Sequence, residues 1–569
     1  MAELNDSSPP NGHRSTPRVN RWWIVVAAIF LLPLIAHLAL SMLVGADFVE
    51  KRATNALASR SDGLYRVEIE DVDFSLLGRS FRATGVAIAP DTLGTAAEPG
   101  DAPRYTAEAA SIRLTGIRFL RLLVNRELRF HTVDLLRPNL HVALDHTPPD
   151  STEDDTTSAD SGAAPSFHHQ LARHLPYVAV EYVRIDSASI AVEIQTGDKK
   201  HVEVVDDLSF RFERIEIDST NTDFRPLFSD NVRFRIGTYQ RASADSLYLL
   251  YAGAVEGSTR DSALTVDSLS WTTTVSDEAF MRRQPHRTNR YKVGFRTLAL
   301  QAIDYWSLLE ERRLAVASAD MERLFVDVYN DETLPEKPVR PATLPHDAFQ
   351  SIGSPVDIDT IRVTEGHVEY SKRADDGVRP GTIRFEDIWA TIYNVTNDPA
   401  RMTDETPAVV DARTLVAGAG LLQTRIDYQL LAPELTIQYR GEVGDMPATA
   451  FNEIFVDLSG VEIKSGQIDS IWFSIQVQRD EARGLLQVLY RDLKIELLDK
   501  ATGERSLRNR IATFIANNMI LNEENQPTVD TPAKVIVIRQ QRPPEKRLFK
   551  FMWHTLREGL FTTIDMPVP

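Results

Sequence analysis

Cysteine is absent from all 569 residues. That removes disulfides, thiolate-held zinc, iron–sulfur clusters and thiol nucleophiles, and leaves the redox compartment open. Basic residues are in deficit, 63 Lys and Arg against 81 Asp and Glu, for a net charge of −18. Such a chain repels nucleic acid unless a basic patch is segregated, and no basic stripe interleaved with aromatics runs through it. The signatures of catalysis are missing too: there is no H-E-x-x-H, G-x-S-x-G, G-x-x-x-x-G-K-[ST] or G-x-G-x-x-G. His168 and His169 have no further ligands in sight and read as a surface pair. The many carboxylates fall as solvent-facing alternates of strands, so their closeness in sequence does not argue for a glycosidase. The sequence nominates no catalytic residue, no cofactor and no metal. It reads as a non-enzyme, with an exported hydrolase as the remaining enzymatic alternative.

Long hydrophobic runs are scarce, with one exception. Residues 24–44 pass without a formal charge, and about 20 apolar residues cross the hydrocarbon of a bilayer. Trp22 and Trp23 stand where an interfacial aromatic belt belongs. Arg14, Arg18 and Arg21 precede the run, and Asp47 and Glu50 follow it. The positive-inside rule then puts residues 1–21 in the cytoplasm as a loose tail, residues 22–45 in the membrane, and the rest outside. A cleaved signal peptide ending at Val44-Gly45-Ala46 is the alternative, although signal h-regions are shorter. Both readings export the bulk of the chain.

Beyond the run, residues 47–59 keep a helical period, and strand patterning then dominates. Tyr65, Val67 and Ile69 alternate with polar neighbours. Phe210 and Phe212 do the same, as do Ile471, Phe473, Ile475 and Val477. Each set faces one side of its sheet. Two stretches interrupt the pattern. Residues 145–166 hold six acidic side chains and no Lys or Arg, and read as a solvated loop. Residues 335–355 hold five prolines and read as a linker. They divide the exported chain into β-regions at 46–144, 167–334 and 356–504, with a tail at 505–569.

A pattern of apolar-x-apolar-x-x-small-x-apolar recurs. It appears at Val133, Leu135, Pro138 and Leu140, then at Val183, Ile185, Ala188 and Ile190. It returns at Ile361, Val363, Gly366 and Val368, and at Val461, Ile463, Gly466 and Ile468. Each copy predicts a strand, a tight turn or bend at the small residue, and a second strand on the same face. In the tail, residues 506–520 have helical spacing. Residues 545–560 place Leu548, Phe549, Met552, Trp553, Leu556 and Leu560 on one face and Lys546, Arg547, Lys550 and Arg557 on the other. A basic amphipathic helix of this kind lies in a membrane interface, caps a hydrophobic groove or closes the end of a sheet; the sequence leaves these open.

The order of parts resembles the AsmA-like family of Gram-negative envelope proteins. The resemblance rests on the anchor, the short helix and the segment 65–91 with its Gly85-Val86-Ala87-Ile88 strand. It rests further on residues 435–500, through the Gly441 strand, Asn452, the Val461 to Gly466 turn and the Gly484 to Lys494 strand pair. It covers residues 22–95 and 435–560, and the middle matches in strand character only. It implies an elongated, mostly antiparallel, taco-like β-groove with an apolar concave face for acyl chains, and a few short helices near the membrane and at the C-terminus. The implied role is carrying phospholipid between the inner and outer membranes, from an inner-membrane anchor with the bulk of the chain in the periplasm. A protein partner in the outer or inner membrane is implied as well, and no nucleic acid. Phe210, Phe212, Ile471, Phe473, Ile475 and Val477 are the expected groove lining. At ~4.8 Å per strand, an inventory of roughly 30–40 strands would extend on the order of 150 Å. Alternation alone fits closed β-sandwiches equally well, so a scaffold or assembly factor that binds proteins is the rival reading.

Overall fold

The computed structural model describes residues 46–58, 65–90, 104–119, 121, 127–146, 177–196, 199–218, 225–336, 341–375, 377, 379–498 and 523–565. The expected membrane span at 22–45, the cytoplasmic tail at 1–21, most of the acidic loop at 145–166 and the expected helix at 506–520 lie outside these residues. Among the described residues no helix is long and apolar enough to cross a membrane.

The protein is mainly β, with one large mixed sheet that does not close on itself. Period-2 alternation gives long strands at its N-terminal end. Helix α1 (Ala46–Ala58) packs on β1 (Tyr65–Ser75), where the Thr54 hydroxyl takes the Val67 N–H at 3.1 Å. It thereby occupies part of an edge that would otherwise offer unpaired backbone groups. β2 (Ser80–Pro90), β3 (Arg104–Thr115) and β4 (Leu128–His146) continue as an antiparallel meander. β5 (Tyr177–Thr196) then runs parallel to β4, and β6 (Lys199–Asp218) returns antiparallel. A parallel neighbour needs a long crossover, and the stretch containing the acidic loop supplies it. The first two copies of the sequence repeat lie side by side here, with Val133 opposite Val183, Leu135 opposite Ile185 and Leu140 opposite Ile190.

The middle strands come as pairs, each one track broken at a single point. β7 (Ser229–Ile236) and β8 (Tyr239–Ala242) part at Gly237; β9 (Tyr248–Ala252) and β10 (Val255–Ser258) part at Gly253. β11 (Ala263–Val266) and β12 (Leu269–Thr273) part at Asp267, and, after the short helix α2 (Asp277–Met281), β13 (Asn289–Phe295) and β14 (Thr297–Ile303) part at Arg296. β15 (Leu314–Glu322) and β16 (Phe325–Asp331) part at Arg323. One file of halves, β7-β10-β11-β14-β15, ends on the first half of β17 (Val356–Arg373). The other, β8-β9-β12-β13-β16, ends on its second half. Both junctions with β17 are parallel, and the proline-rich stretch is their crossover. It carries helix α3 (Pro345–Gln350), with Leu344 and His346 buried and the His346 N–H donated to Tyr428 Oη.

The remaining strands are antiparallel: β18 (Gly381–Thr396), β19 (Ala408–Val416), β20 (Gly420–Tyr428), β21 (Thr436–Val443) with the short β22 (Met446–Pro447), β23 (Val461–Gln478), β24 (Glu481–Leu497) and β25 (Val535–Gln541). Two helices cover one face at this end, α4 (Asn452–Ser459) and α5 (Leu548–Thr563). The Asn452 side chain both donates to and accepts from the backbone of Ile463, which fixes α4 to β23.

The repeat's small residues do not turn the chain. They sit beside bulges inside single long strands, with register shifts at Ala188 and Gly366 and on both sides of Ser465. Positive φ falls on Arg137, Ser187 and Glu365, each one residue before the small position, and on Gly466 itself (φ 142). Neighbouring strands answer with Gly85, Asp207, Asp387 and Asp492. Together with the broken pairs these form one crease across the sheet. Hydrogen bonds continue over it, from Gly253 N–H to Ser268 O and from Arg323 N–H to Thr364 O. A bulge bends its strand and raises the local twist, so a file of them bends the whole sheet.

Candidate functional site

Side chains of directly paired residues share a face, so the register lists what each face presents. On one face a single row crosses the sheet without a charged residue. It starts at Val72, Ala83, Ile112, Leu135 and Ile185 and passes Phe210, Phe234, Gly257 and Leu264. It goes on through Leu300, Ala319, Ile361, Ile392 and Val410. Ile426, Tyr439, Ile475, Gly484 and Ile538 complete it. A second row beside it, from Ile236 through Val255, Val266, Leu298, Met321 and Val363 to Phe473, Leu486 and Ile536, is interrupted only by Thr424. Glycines in the rows are roofed by rings: the Phe234 ring fills the space above Gly257, and that of Phe473 the space above Gly441.

Cover over this face changes along the sheet. Among the described residues, none of β1–β6 belongs to any of the three packed hydrophobic clusters, and the row residues there are half-buried apart from the small Ala83. Phe210 and Phe212 belong to this part. Their rings lie 6.4 Å apart, and Phe210 is 6.5 Å from Phe234. The largest cluster lies at the C-terminal end, where Tyr439 and Ile475 are 1% exposed and Phe551 of α5 is fully buried. Ile471, Phe473, Ile475 and Val477, expected to line an open surface, are at most 5% exposed and belong to this closed core. Of the six, Phe210 and Ile475 lie in the same row of the register. The six are not open in common, because α5 roofs one end.

Helix α5 turns its apolar face inward. Leu548 is buried, Met552, Trp553, Leu556 and Leu560 are half-buried against the core, and Phe549 is 57% exposed. The helix comes close at Gly559, where a methyl group would stand 3.2 Å from Leu486 Cδ1. The membrane-interface reading of these residues therefore gives way to packing on the sheet, since the same apolar face cannot serve both; Phe549 is the exception. Sequence reasoning missed the row residues of β10 to β15. β10 and β11 have four residues each, too short for alternation to stand out, and the register aligns them with the longer β14 and β15.

The opposite face is polar with large exposed aromatics. Trp389 and Trp472 are 42% and 41% exposed, and the Arg413 guanidinium lies over Trp389 at 5.4 Å. Among the described residues no group of three or more His, Asp or Glu is placed to hold a metal. No protein-family model matches the chain, and no curated protein matches it.

Proposed function

We propose that this chain is an inner-membrane-anchored periplasmic protein that binds phospholipid acyl chains along the apolar face of its bent sheet and conducts them between the inner and outer membranes, supporting outer-membrane integrity. The observation that carries the reading is the uncharged row from Val72 to Ile538, whose residues are half-buried from β1 to β20 apart from the small Ala83 and Ala319. A lone acyl chain in water leaves apolar surface exposed at a cost of about 0.8 kcal/mol per CH₂, and a continuous dry track removes that cost at every step. The creased sheet forms the wall of a trough. The trough begins near the membrane, because α1 starts two residues after the apolar run 24–44 and packs on the first strand. The resemblance to AsmA-like proteins supports the same assignment.

A scaffold that binds proteins is the second reading, favoured by the Arg- and Trp-bearing opposite face, since such side chains dominate protein interfaces. The deciding measurement is mass spectrometry of lipids co-purifying with the full chain and with Phe210→Asp. Wild-type protein carrying phospholipid, and a folded variant depleted of it, is the expected result. Lipid-free wild type, or a variant with wild-type lipid content, refutes the track. Retention of the anchor is checked by N-terminal sequencing of the mature protein; a start at or near Asp47 would remove it.

A further inference from the structure

The apolar row passes from half-open to closed beneath α5, and beside its packed face α5 carries a stripe of nitrogen bases. Lys550, His554 and Arg557 recur at helical spacing on one side, and Lys546 lies two residues before the helix begins. The stripe faces the far ends of β16 and β17. Lys550 Nζ approaches Glu332 at 3.9 Å, and Arg547 hydrogen-bonds Tyr291 Oη on β13. Lys372 joins from β17, two residues beyond Tyr370, whose ring packs against the C-terminal core; Lys372 is therefore on the inner face.

Bases outnumber acids in this corner. Among the described residues Glu332 and Glu558 are the carboxylates that act on the stripe, and the closest partner of Glu332 is Lys372 at 2.8 Å. Arg287 is taken by Glu336, and Glu558 accepts from Gln540. Lys546, Lys550 and Arg557 are left with Glu558 and a share of Glu332, a surplus of positive charge in a chain whose net charge is −18. Arg557 Nε is buried without a hydrogen-bond partner. His554 reports the field. Burial, and then Arg557, Lys546, Lys550 and Lys372, push its imidazole down to about 4. Burial also lowers Lys550 and Arg557. A surplus of half-buried cations is costly unless an anion completes it.

We infer that Lys372, Lys550, His554 and Arg557 form a binding site for the phosphate of a lipid headgroup, placed where the acyl track closes. The inference rests on the acyl-track reading and adds a polar end to it. Lysine ammonium and arginine N–H groups meet phosphate oxygens in charge-assisted hydrogen bonds, and the unpartnered Arg557 Nε–H is a donor already desolvated for one. The tails lie along the rows that lead to α5. Inorganic phosphate offers the same oxygens, but it leaves the adjoining apolar face wet; the lipid is the ligand that satisfies both.

The test uses the full chain and vesicles carrying fluorescent phosphatidylglycerol or diacylglycerol with identical acyl chains. Wild-type protein is expected to retain phosphatidylglycerol at least about tenfold better, the factor of one charge-assisted hydrogen bond. Lys550→Gln/His554→Gln/Arg557→Gln is expected to bring the two near parity without changing diacylglycerol retention. Parity in the wild type overturns the headgroup site and leaves the track standing; retention of neither lipid overturns both. Saturable binding of inorganic phosphate to lipid-free wild type, with no lipid preference, assigns the site to a free anion and refutes the inference. Should the triple variant lose its native circular dichroism, Lys372→Gln/Lys550→Gln is read the same way, and a preference that survives it counts against the site.

Discussion

Gly466 shows how one residue shapes a strand here. Its φ of 142 lies where L side chains are strained, and a Cβ would stand 3.0 Å from Leu493 Cδ1 and 3.2 Å from Ala448 Cβ. Gly466→Val is expected to destabilise the C-terminal region by about 1–3 kcal/mol, seen as a lower denaturant midpoint; an unchanged midpoint would contradict the bulge. Gly366 reaches the same bend differently, because Glu365 before it carries the positive φ. His554 is the residue whose environment gives a pH signature. Its folded pKa of about 4 lies below the ordinary 6.5. The unfolded chain therefore takes up a proton at His554 as pH falls below 6.5, while the folded chain does so only near 4. This group's contribution to stability is complete above 6.5 and is lost progressively down to about 4. His554→Gln should flatten the melting temperature's dependence on pH across that window, and a slope identical to wild type would show that the imidazole is not held neutral.

At the level of elements, β6 and β23 carry the same alternation in sequence but meet different fates. Ile475→Asp places a carboxylate at a site 1% exposed beneath α5, and should unfold the C-terminal region, at a cost above about 4 kcal/mol. Phe210→Asp lies on the half-buried stretch, where water can reach the carboxylate, and should leave the melting transition near wild type. Comparable losses for both would mean that β6 is covered as β23 is. Helix α5 is the reason for the contrast: Phe551→Ala removes a fully buried ring from its contact face and should cost about 3–5 kcal/mol in denaturant unfolding.

Across the whole molecule, the two stretches that break the strand pattern turn out to be crossovers. The sheet passes both of them without a gap, as β4 pairs with β5 and β15 and β16 pair with β17. The 25 strands fill fewer positions than their number, since the β7–β16 pairs share positions across the crease and β22 shares one with β21. The row is accordingly on the order of 90 Å long, shorter than the sequence estimate. Because the packed core is concentrated at one end, unfolding should not be uniform. Amide exchange is expected to be fastest in β1–β6 and slowest in β21–β25, with bound phospholipid slowing the former most. Uniform protection along the chain would show that the N-terminal strands have a core of their own.

Alternation and composition determined by themselves that this chain is mainly β, that Phe210 and Phe212 share one face of their strand, and that Ile471, Phe473, Ile475 and Val477 share one face of theirs. Those features are legible because the side-chain period of a strand is a local property; that Phe210 and Ile475 lie in one row, and that Val133 sits opposite Val183, came from strand pairing. The tertiary structure decided what lies over that face. Whether Ile475 is roofed and Phe210 is left half-open depends on where α5 docks, and α5 begins 73 residues further along the chain than Ile475. The crease likewise escapes local reading, because its residues share no type: Gly85, Arg137, Ser187 and Asp207 are alike only in backbone conformation, which strand pairing imposes on each.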